Sequence, residues 1–529
     1  MSCETALLTF SIGPVHSFIE QARRISDVWA GSYLLSHLTR QAISEAHRAD
    51  GCEMIFPFLP KGSTVPDGLP NRFVCRVPME QASAIAAAME GRIRGEWDRL
   101  VRAAMGVLES YGLRPSPALW VEEEGSRQTD RLLDFAWSWV PEEGGYAAAS
   151  REAARRFAAS RMFRPFPPSE ESGEKCAVCG ERTALPDGDR GKVKSLWLEA
   201  EQKADPRYQR FLRADQGRLC LVCATKRFFP LDRQQDANFD AFDKFQPSED
   251  APYFAVVKMD GDRMGRIFSL PADAVQDGDL EAFHHAVSEA LGGFAAGLRT
   301  GASTDLLWQG LGIEKLNGLP PQVIYAGGDD VLFLCDPRDA LPLARALRNR
   351  YGNAFQEARR LLKDQDRQRF TLSAAILFAH PGHPAGLLLH DLEELLDRGA
   401  KERGGRDAVA LRLVKRGGVP VEVALPWEAR PGDGDMNWIA DLDELTRRLR
   451  EGKLSSRQTF TLRLEERTLL EVFQDDPTRW EPWLADRLSR NEEVFGGALE
   501  LAKLVTPFFL RRRMPALRIA RFLGIEVQR

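Results

Sequence analysis

Two short runs of β-branched and aromatic residues, Pro321-Gln322-Val323-Ile324-Tyr325 and Val331-Leu332-Phe333-Leu334, are joined by Ala326-Gly327-Gly328-Asp329-Asp330. The pattern reads as a hairpin with paired carboxylates at its tip. A tight turn needs positive φ and a backbone that other groups can approach closely, and glycine supplies both without strain. Taken alone, Gly-Gly-Asp-Asp is also an ordinary solvated turn, because glycine and aspartate are common turn residues. Its meaning depends on what the rest of the chain brings beside it.

Upstream, Tyr253-Phe254-Ala255-Val256-Val257-Lys258-Met259 reads as a buried strand that runs into Asp260-Gly261-Asp262-Arg263-Met264-Gly265, so a third carboxylate arrives at a strand end. Three carboxylates on neighbouring strands suit two divalent cations about 3.5–4 Å apart, the arrangement that supports in-line displacement at phosphorus. Hard oxygen ligands favour Mg²⁺ or Mn²⁺. Asp260, Asp329 and Asp330 are therefore the candidate ligands. Asp262 ranks below Asp260, because side chains alternate along a strand and the turn begins there. A third element, Gly399-Ala400-Lys401-Glu402-Arg403-Gly404-Gly405-Arg406-Asp407, closes a helical stretch and leads into Ala408-Val409-Ala410-Leu411-Arg412-Leu413. Lys401 and Arg406 could reach phosphates held by the metals, although cations at a helix end are favoured by the dipole alone.

The order of elements constrains the fold further. Strands are expected over 252–259, 321–326, 331–335, 370–378 and 407–414, with helices over 278–298, 338–362 and 384–400. That order is βαββαβ with one extra helix and strand, a ferredoxin-like palm. Near the N-terminus, Leu7 to Ser11, Met54 to Phe58 and Arg72 to Val77 read as strands, with helices from Val15 to Leu38 and from Pro78 to Met105. This βαββα order echoes the other palm without its carboxylates: Gly13-Pro14 stands where Asp260-Gly261 would, so no metal site is expected there. The expected fold class is α+β, with two ferredoxin-like palms (βαββαβ), a zinc-knuckle insert and a C-terminal helical domain. The expected boundaries are 1–165, 166–235, 236–420 and 421–529, the last being rich in leucines and tryptophans at helical spacing.

Between the palms, Cys176-Ala177-Val178-Cys179 and Cys220-Leu221-Val222-Cys223 form two C-x-x-C knuckles. Four thiolates at this spacing close a tetrahedral Zn²⁺ site with no open position, a structural role. Cys3, Cys52, Cys75 and Cys335 lie in or beside apolar runs and read as small core residues.

A formal net charge of −5 argues against a general nucleic-acid binder, so any RNA contact must be local or made through partners. The best local candidate is the end of the chain, with Arg511-Arg512-Arg513, Arg518, Arg521 and Arg529; a solvated helix face explains it equally well. No apolar N-terminal stretch resembles a signal peptide and no run approaches the length of a membrane span, so a cytoplasmic location and no membrane partner are expected.

The motifs Met259-Asp260-Gly261-Asp262, Gly327-Gly328-Asp329-Asp330 and Ala400-Lys401 through Gly405-Arg406-Asp407 resemble the cyclase palm of the large subunit of type III CRISPR effector complexes, and more distantly diguanylate cyclases. Leu7-Leu8-Thr9-Phe10-Ser11-Ile12-Gly13-Pro14-Val15 and Ala22-Arg23-Arg24 through Asp27-Val28-Trp29-Ala30-Gly31-Ser32-Tyr33-Leu34-Leu35-Ser36 are similar to the opening of the first, non-catalytic palm in the Cmr (type III-B) branch. The resemblance covers residues 1 to about 415. It implies that target RNA switches on the joining of ATP into cyclic oligoadenylates, second messengers of antiviral defence. It also implies partnership with the other subunits, guide RNA and target RNA. Carried over by position, Asp260, Asp329 and Asp330 would hold two Mg²⁺ or Mn²⁺ ions, with the Gly261 carbonyl as an extra ligand. The amides of Arg263, Met264 and Gly265 would meet phosphate, Gly327 and Gly328 would let the nucleotide approach, and Lys401 and Arg406 would steady the triphosphate. Ser11, Gly13 and Ser32 are the candidates to contact a second nucleotide, though an ordinary helix start explains them nearly as well.

Many members of that family begin with a nuclease domain carrying a His-Asp pair, whereas this chain opens directly in the first palm. His390-Asp391 falls in a palm helix without other histidines placed to build a metal site, so DNA cleavage is not expected. Two competing readings are a stand-alone GGDEF-like nucleotide cyclase that needs no RNA, and a non-catalytic scaffold subunit. The complete set of three aspartates weighs against the scaffold.

Overall fold

The computed structural model describes residues 4–116, 120–121, 125–126, 128–130, 132–162, 171–188, 190–213, 218–234, 242, 253–301, 305–364, 370–415, 417, 419–431, 436–460, 462, 471, 476–489 and 497–527. Cys3 and Arg529 lie outside the described residues.

The chain opens with β1 (Thr5–Gly13), α1 (Ile25–Arg48), β2 (Glu53–Phe56), β3 (Arg72–Pro78), α2 (Ala82–Ser110) and β4 (Asp134–Pro141). These strands form one sheet in the order β2-β3-β1-β4. That is the ferredoxin-like arrangement: the first and third strands pair at the centre and the fourth strand closes the far edge. Residue patterning reached only βαββα here, and β4 supplies the missing strand. Its run Asp134-Phe135-Ala136-Trp137-Ser138-Trp139-Val140-Pro141 pairs antiparallel with β1 from Ala6↔Pro141 to Gly13↔Asp134. Alternation in β3 is clear, with Phe73, Cys75 and Val77 buried and the residues between them partly exposed.

After the cysteine-knuckle segment comes α3 (Leu221–Asp232). The second palm follows with β5 (Phe254–Gly261), α4 (Leu280–Gly301), β6 (Gln322–Gly327), β7 (Asp330–Cys335), α5 (Ala340–Ala354), β8 (Leu372–Ala379), α6 (Ala385–Glu394) and β9 (Ala408–Leu413). The β8-β5-β7-β6 core again has the ferredoxin-like order, and β9 joins it parallel to β8. All eight residues of β8 are buried, as a central strand covered on both faces requires. The expected 384–400 helix is wound as α-helix to Glu394 and then as a wider π-helical segment, Leu395–Arg403. Such segments are frequent at functional sites.

A further strand, β10 (Val421–Pro426), pairs antiparallel with β9 from Ala408↔Pro426 to Leu413↔Val421. The expected boundary at 420 therefore falls just before a strand that belongs to the palm sheet. The described remainder is helical: α7 (Trp438–Arg450), α8 (Pro477–Ser489), α9 (Ala498–Leu510) and α10 (Pro515–Arg521). The terminal arginines are partly used inside this region. Arg513 lies 4.0 Å from the Trp438 ring centroid, and Arg521 donates to Ser456 Oγ at 2.9 Å and pairs with Glu526 at 3.2 Å. Among the described residues, no helix is long and apolar enough to cross a membrane.

The two palms meet through α4. Ser288 Oγ accepts from the Phe58 amide at 2.6 Å, buried His284 shares a 2.8 Å hydrogen bond with Tyr146, and Arg76 pairs with Glu281 at 2.8 Å. Arg299 donates to the carbonyls of Gly68 at 3.1 Å and Ala326 at 2.6 Å, tying a first-palm loop to the Gly-Gly-Asp-Asp hairpin.

Candidate functional site

The hairpin closes with Gly327 opposite Asp330, leaving Gly328 and Asp329 as a two-residue loop. Gly328 has φ +63° at the first loop position, where a type II′ turn calls for glycine. On the neighbouring strand, Met259 pairs with Val331, so Asp260 and Asp330 are the next residues on adjoining chains. Asp329 completes the group from the loop. A Cβ added to Gly261 would stand 2.7 Å from Asp329 Cβ and 2.9 Å from its Oδ2, which shows how closely the hairpin tip rides over the end of β5. The three aspartates singled out by the sequence thus stand at adjoining positions, two opposite one another on β5 and β7 and one on the loop between β6 and β7.

Their electrostatics show the consequence of crowding three acids. Burial, then the charge of Asp260, pushes the Asp329 carboxyl up to about 7. Burial, then Asp260 and Asp329, pushes Asp330 well above the usual carboxylate range. Two lysines partly offset this repulsion. Lys401, in the π-helical segment, binds Asp260 at 2.6 Å and Asp397 at 3.0 Å. Lys258, on β5, lowers the cost at Asp330 and is paired with Glu393 of α6. Carboxylate oxygens are the ligand type that hard divalent cations take. The hydroxyls of Tyr351 and Tyr325 also border the group, and burial followed by the aspartate charges raises both phenols.

Gly261 tolerates nothing larger. A methyl group there would meet the buried Tyr351 hydroxyl at 2.5 Å as well as Asp329. Gly261→Ala is expected to displace Asp329 and cut any metal-dependent turnover about 10²-fold, the scale of a 1 Å misplacement. Thermal melting should show an overpacking loss of about 1–3 kcal/mol.

Asp262 faces away from this group. It is 3 % exposed and accepts from Thr371 Oγ1 and Ser373 Oγ, both at 2.8 Å, and from the Asp407 amide at 2.9 Å. Arg406, expected at the triphosphate, lies 3.6 Å from Asp262 instead. Gly405, Arg406 and Asp407 all have positive φ, a run that non-glycine residues adopt only when surroundings impose it. Asp262 and the two-pronged Arg348–Asp407 pair, at 2.9 and 2.6 Å, impose it. The second acid of Asp-Gly-Asp is thus a buried anchor for the loop after Lys401. Arg263 begins a short turn with φ +60°, leaving its side chain and Gly265 exposed while Met264 is buried under Tyr351.

A cavity of about 580 Å³ lies between the palms, and Ser11, Gly13 and Ser32 from one side share it with Lys258, Tyr325 and Asp330 from the other. Its volume suits a nucleotide-sized ligand. His390 is exposed, and Asp391 is engaged by Arg412 at 3.3 Å.

The knuckle cysteines gather as well. Cys176, Cys179, Cys220 and Cys223 place sulfurs within 4.8 Å of one another, and Cys179 and Cys220 are 3.8 Å apart. Zinc–sulfur bonds of about 2.3 Å in a tetrahedron put sulfurs about 3.8 Å apart, so the four could hold a zinc ion. The amides of Val178 and Cys223 donate to Cys176 and Cys220 sulfur at 3.4 Å, which supports thiolate charge. Cys52, Cys75 and Cys335 are buried core residues, as their apolar surroundings suggested. Cys220→Ser is expected to abolish zinc in elemental analysis of the purified chain and to lower its melting temperature, because a hydroxyl keeps the cap of α3 but cannot replace the fourth thiolate, and binding of a structural zinc adds to folding stability.

Fold and site together define a double-palm protein with a carboxylate cluster at the end of its second palm. Residues 253–410 match the family model described as Cas10/Cmr2, second palm domain, and residues 7–102 match that of CRISPR-associated protein Cmr2, N-terminal. The CRISPR system Cmr subunit Cmr2 of Pyrococcus furiosus is 24% identical over 585 residues, covering 80% of this chain. The match spans 63% of that relative, so the chain covers less than two thirds of its length. Type III-B Cmr-beta has the same fold in its apo state, with TM-score 0.53 and 14% identity, covering 92% of this chain and 77% of that one. Cmr-beta bound to cognate target RNA gives TM-score 0.57 and 13% identity, covering 92% and 78%. Residues 7–102 and 253–410 thus carry two domains characteristic of Cas10/Cmr2 proteins.

Proposed function

We propose that this chain is the large subunit of a type III-B effector complex and that, with target RNA engaged, it joins ATP molecules into cyclic oligoadenylates. The observation that carries the reading is the convergence of Asp260, Asp329 and Asp330 beside a nucleotide-sized cavity bounded by both palms. Two facing palms give room for an acceptor and a donor nucleotide, and joining nucleotides needs both. Asp260, Asp329 and Asp330, with the Gly261 carbonyl, would hold two Mg²⁺ or Mn²⁺ ions. When bound, the ions would lower the pKa of the attacking ribose hydroxyl and offset charge on the leaving pyrophosphate.

The chain's own residues would do the positioning. Lys401 already bridges Asp260 and Asp397, so its ammonium is held where it could exchange a carboxylate for a phosphate oxygen. Asp262 would act through the 405–407 loop, fixing the backbone that follows Lys401 rather than touching substrate. Arg406 would reach phosphate only by leaving Asp262. Ser11, Gly13 and Ser32 would line the second nucleotide's half of the cavity.

The test is incubation of the purified chain with ATP and Mn²⁺ or Mg²⁺, alone and with its partner subunits, guide RNA and target RNA, with products resolved by mass spectrometry. Cyclic oligoadenylate formed only in the RNA-loaded assembly supports the proposal. Product from the isolated chain without RNA would favour a stand-alone cyclase, and no product in any arm would leave a scaffold role.

A further inference from the structure

A second concavity shares no lining residue with the cavity between the palms. It lies on the helical side of the first palm, has a volume of about 240 Å³, and is lined by Arg40 and Arg48 of α1, Arg92 of α2 and Arg233 just past α3. Glu45 is the one acid among the lining residues. Arg40 has a half-exposed ion pair with Asp67 at 3.0 Å, whereas the side chains of Arg48, Arg92 and Arg233 have no hydrogen-bond or ion-pair partner among the described residues. Arg48 and Arg233 end helices, where the dipole favours a cation. That reason does not extend to Arg40 and Arg92, which sit inside α1 and α2.

The floor beneath them is built. His37 Nε2 is 2.7 Å from Glu96, Glu96 is 2.9 Å from Arg99, and Arg99 is 2.9 Å from Asp232, the residue before Arg233. That chain consumes Glu96 and Asp232, leaving only Glu45 and Arg40's partner Asp67 against four arginines. In a protein with net charge −5, four guanidiniums facing one small concavity are a local surplus, not general basicity. Their mutual repulsion gains the fold nothing unless an anion enters. Planar guanidiniums match phosphate oxygens in two-pronged pairs. The volume is below the roughly 300–1,000 Å³ of pockets that enclose a whole ligand, which fits a phosphate or pyrophosphate head with the remainder in solvent.

We propose that this concavity is a second anion site, taking the phosphate end of a phosphorylated ligand independently of divalent metal. Two sources carry that chemistry: a free nucleotide, or the 5′-phosphorylated end of an RNA strand.

The test is calorimetric titration of the full-length chain with inorganic pyrophosphate at low ionic strength in EDTA. The proteins compared are the wild type, Arg92→Ala/Arg233→Ala, and Asp329→Asn/Asp330→Asn. The expected result is one site in the wild type and in the aspartate variant, weakened about 10²-fold in the arginine variant, about tenfold for each guanidinium removed. Arg92 and Arg233 are exposed, so equal melting temperatures would show that their replacement leaves the fold intact. Binding unchanged by the arginine substitutions, or absent from the wild type, overturns the proposal. ATP and single-stranded RNAs bearing 5′-triphosphate or 5′-hydroxyl ends then identify the source. Arginine-dependent binding of ATP assigns free nucleotide, and arginine-dependent preference for the triphosphate end assigns RNA. Neither, despite pyrophosphate binding, marks an adventitious ion only and overturns the assignment of a ligand site.

Discussion

Replacing Asp329 and Asp330 together by asparagine is expected, on the proposed function, to reduce oligoadenylate synthesis by about 10³-fold or more, because the two ions they would hold would each supply several kcal/mol to the transition state. The same substitution should make the metal-free chain more stable, not less. The Asp329 carboxyl, at about 7 in the folded chain against 3.8 in the unfolded one, costs stability progressively as pH rises from about 4 to 7, and the whole cost is present above that. Asparagine removes it. In the wild type, divalent ions should raise the melting temperature more at pH 8 than at pH 6, since binding must expel the proton held by Asp329. The variant should show no such pH-dependent gain. Melting curves of both proteins at the two pH values, with and without Mn²⁺, check every sign. A variant less stable than wild type in EDTA at pH 8 would mean that these carboxylates serve packing rather than ion binding.

Asp27→Ala is expected to cost about 3–5 kcal/mol, a large loss for a single substitution, because it strands a buried cation. Asp27 and Arg227 are each about 1 % exposed and share two hydrogen bonds of 2.8 Å. Asp27 also accepts from the amides of Arg23 and Arg24 at 3.1 and 3.2 Å, opening α1. Burial opposes its ionisation, yet Arg227 and the charges of Lys226 and Arg24 hold its pKa down to about 2. Beside it, buried Lys226 donates to the carbonyls of Phe18 and Gln21 and lies 4.9 Å from the Phe18 ring centroid. The cysteine-knuckle helix α3 is thus locked to the first palm by two buried cations. With a folded pKa near 2 against 3.8 unfolded, the contribution of Asp27 is complete above about pH 4 and is lost as pH falls toward 2. Chemical denaturation of Asp27→Ala against wild type measures the loss. Asp27→Ala/Arg227→Met should recover much of it, because the unpaired charge is then gone.

The parts of this molecule legible in its sequence were those written in local pattern. Gly327-Gly328-Asp329-Asp330 announced both a turn and a charge cluster, and the two C-x-x-C knuckles announced their own convergence. β4 and β10 escaped for different reasons. β4 follows a long excursion after α2, and its partner β1 lies at the other end of the domain, so its place depends on pairing that no local period encodes. β10 is short, follows glycines and ends in Pro426, which suits only the outer edge of a sheet. Strand alternation ranks Asp262 below Asp260, but only Thr371, just before β8, and Ser373 on it reveal it as an anchor. Lysine and arginine are rarely buried unless paired, and only the buried Asp27 and the carbonyls before α1 explain the place of Lys226 and Arg227 in the core. In every case but β10, whose partner β9 is close by, the missing information was a partner distant in sequence.

The central claim is that Asp260, Asp329 and Asp330 share a pair of divalent ions. Counting bound Mn²⁺ per chain by electron paramagnetic resonance, in the presence of a non-hydrolysable ATP analogue, tests it most directly. Two ions in the wild type and none in Asp329→Asn/Asp330→Asn is the expected result. An equal count in the two proteins would contradict the account.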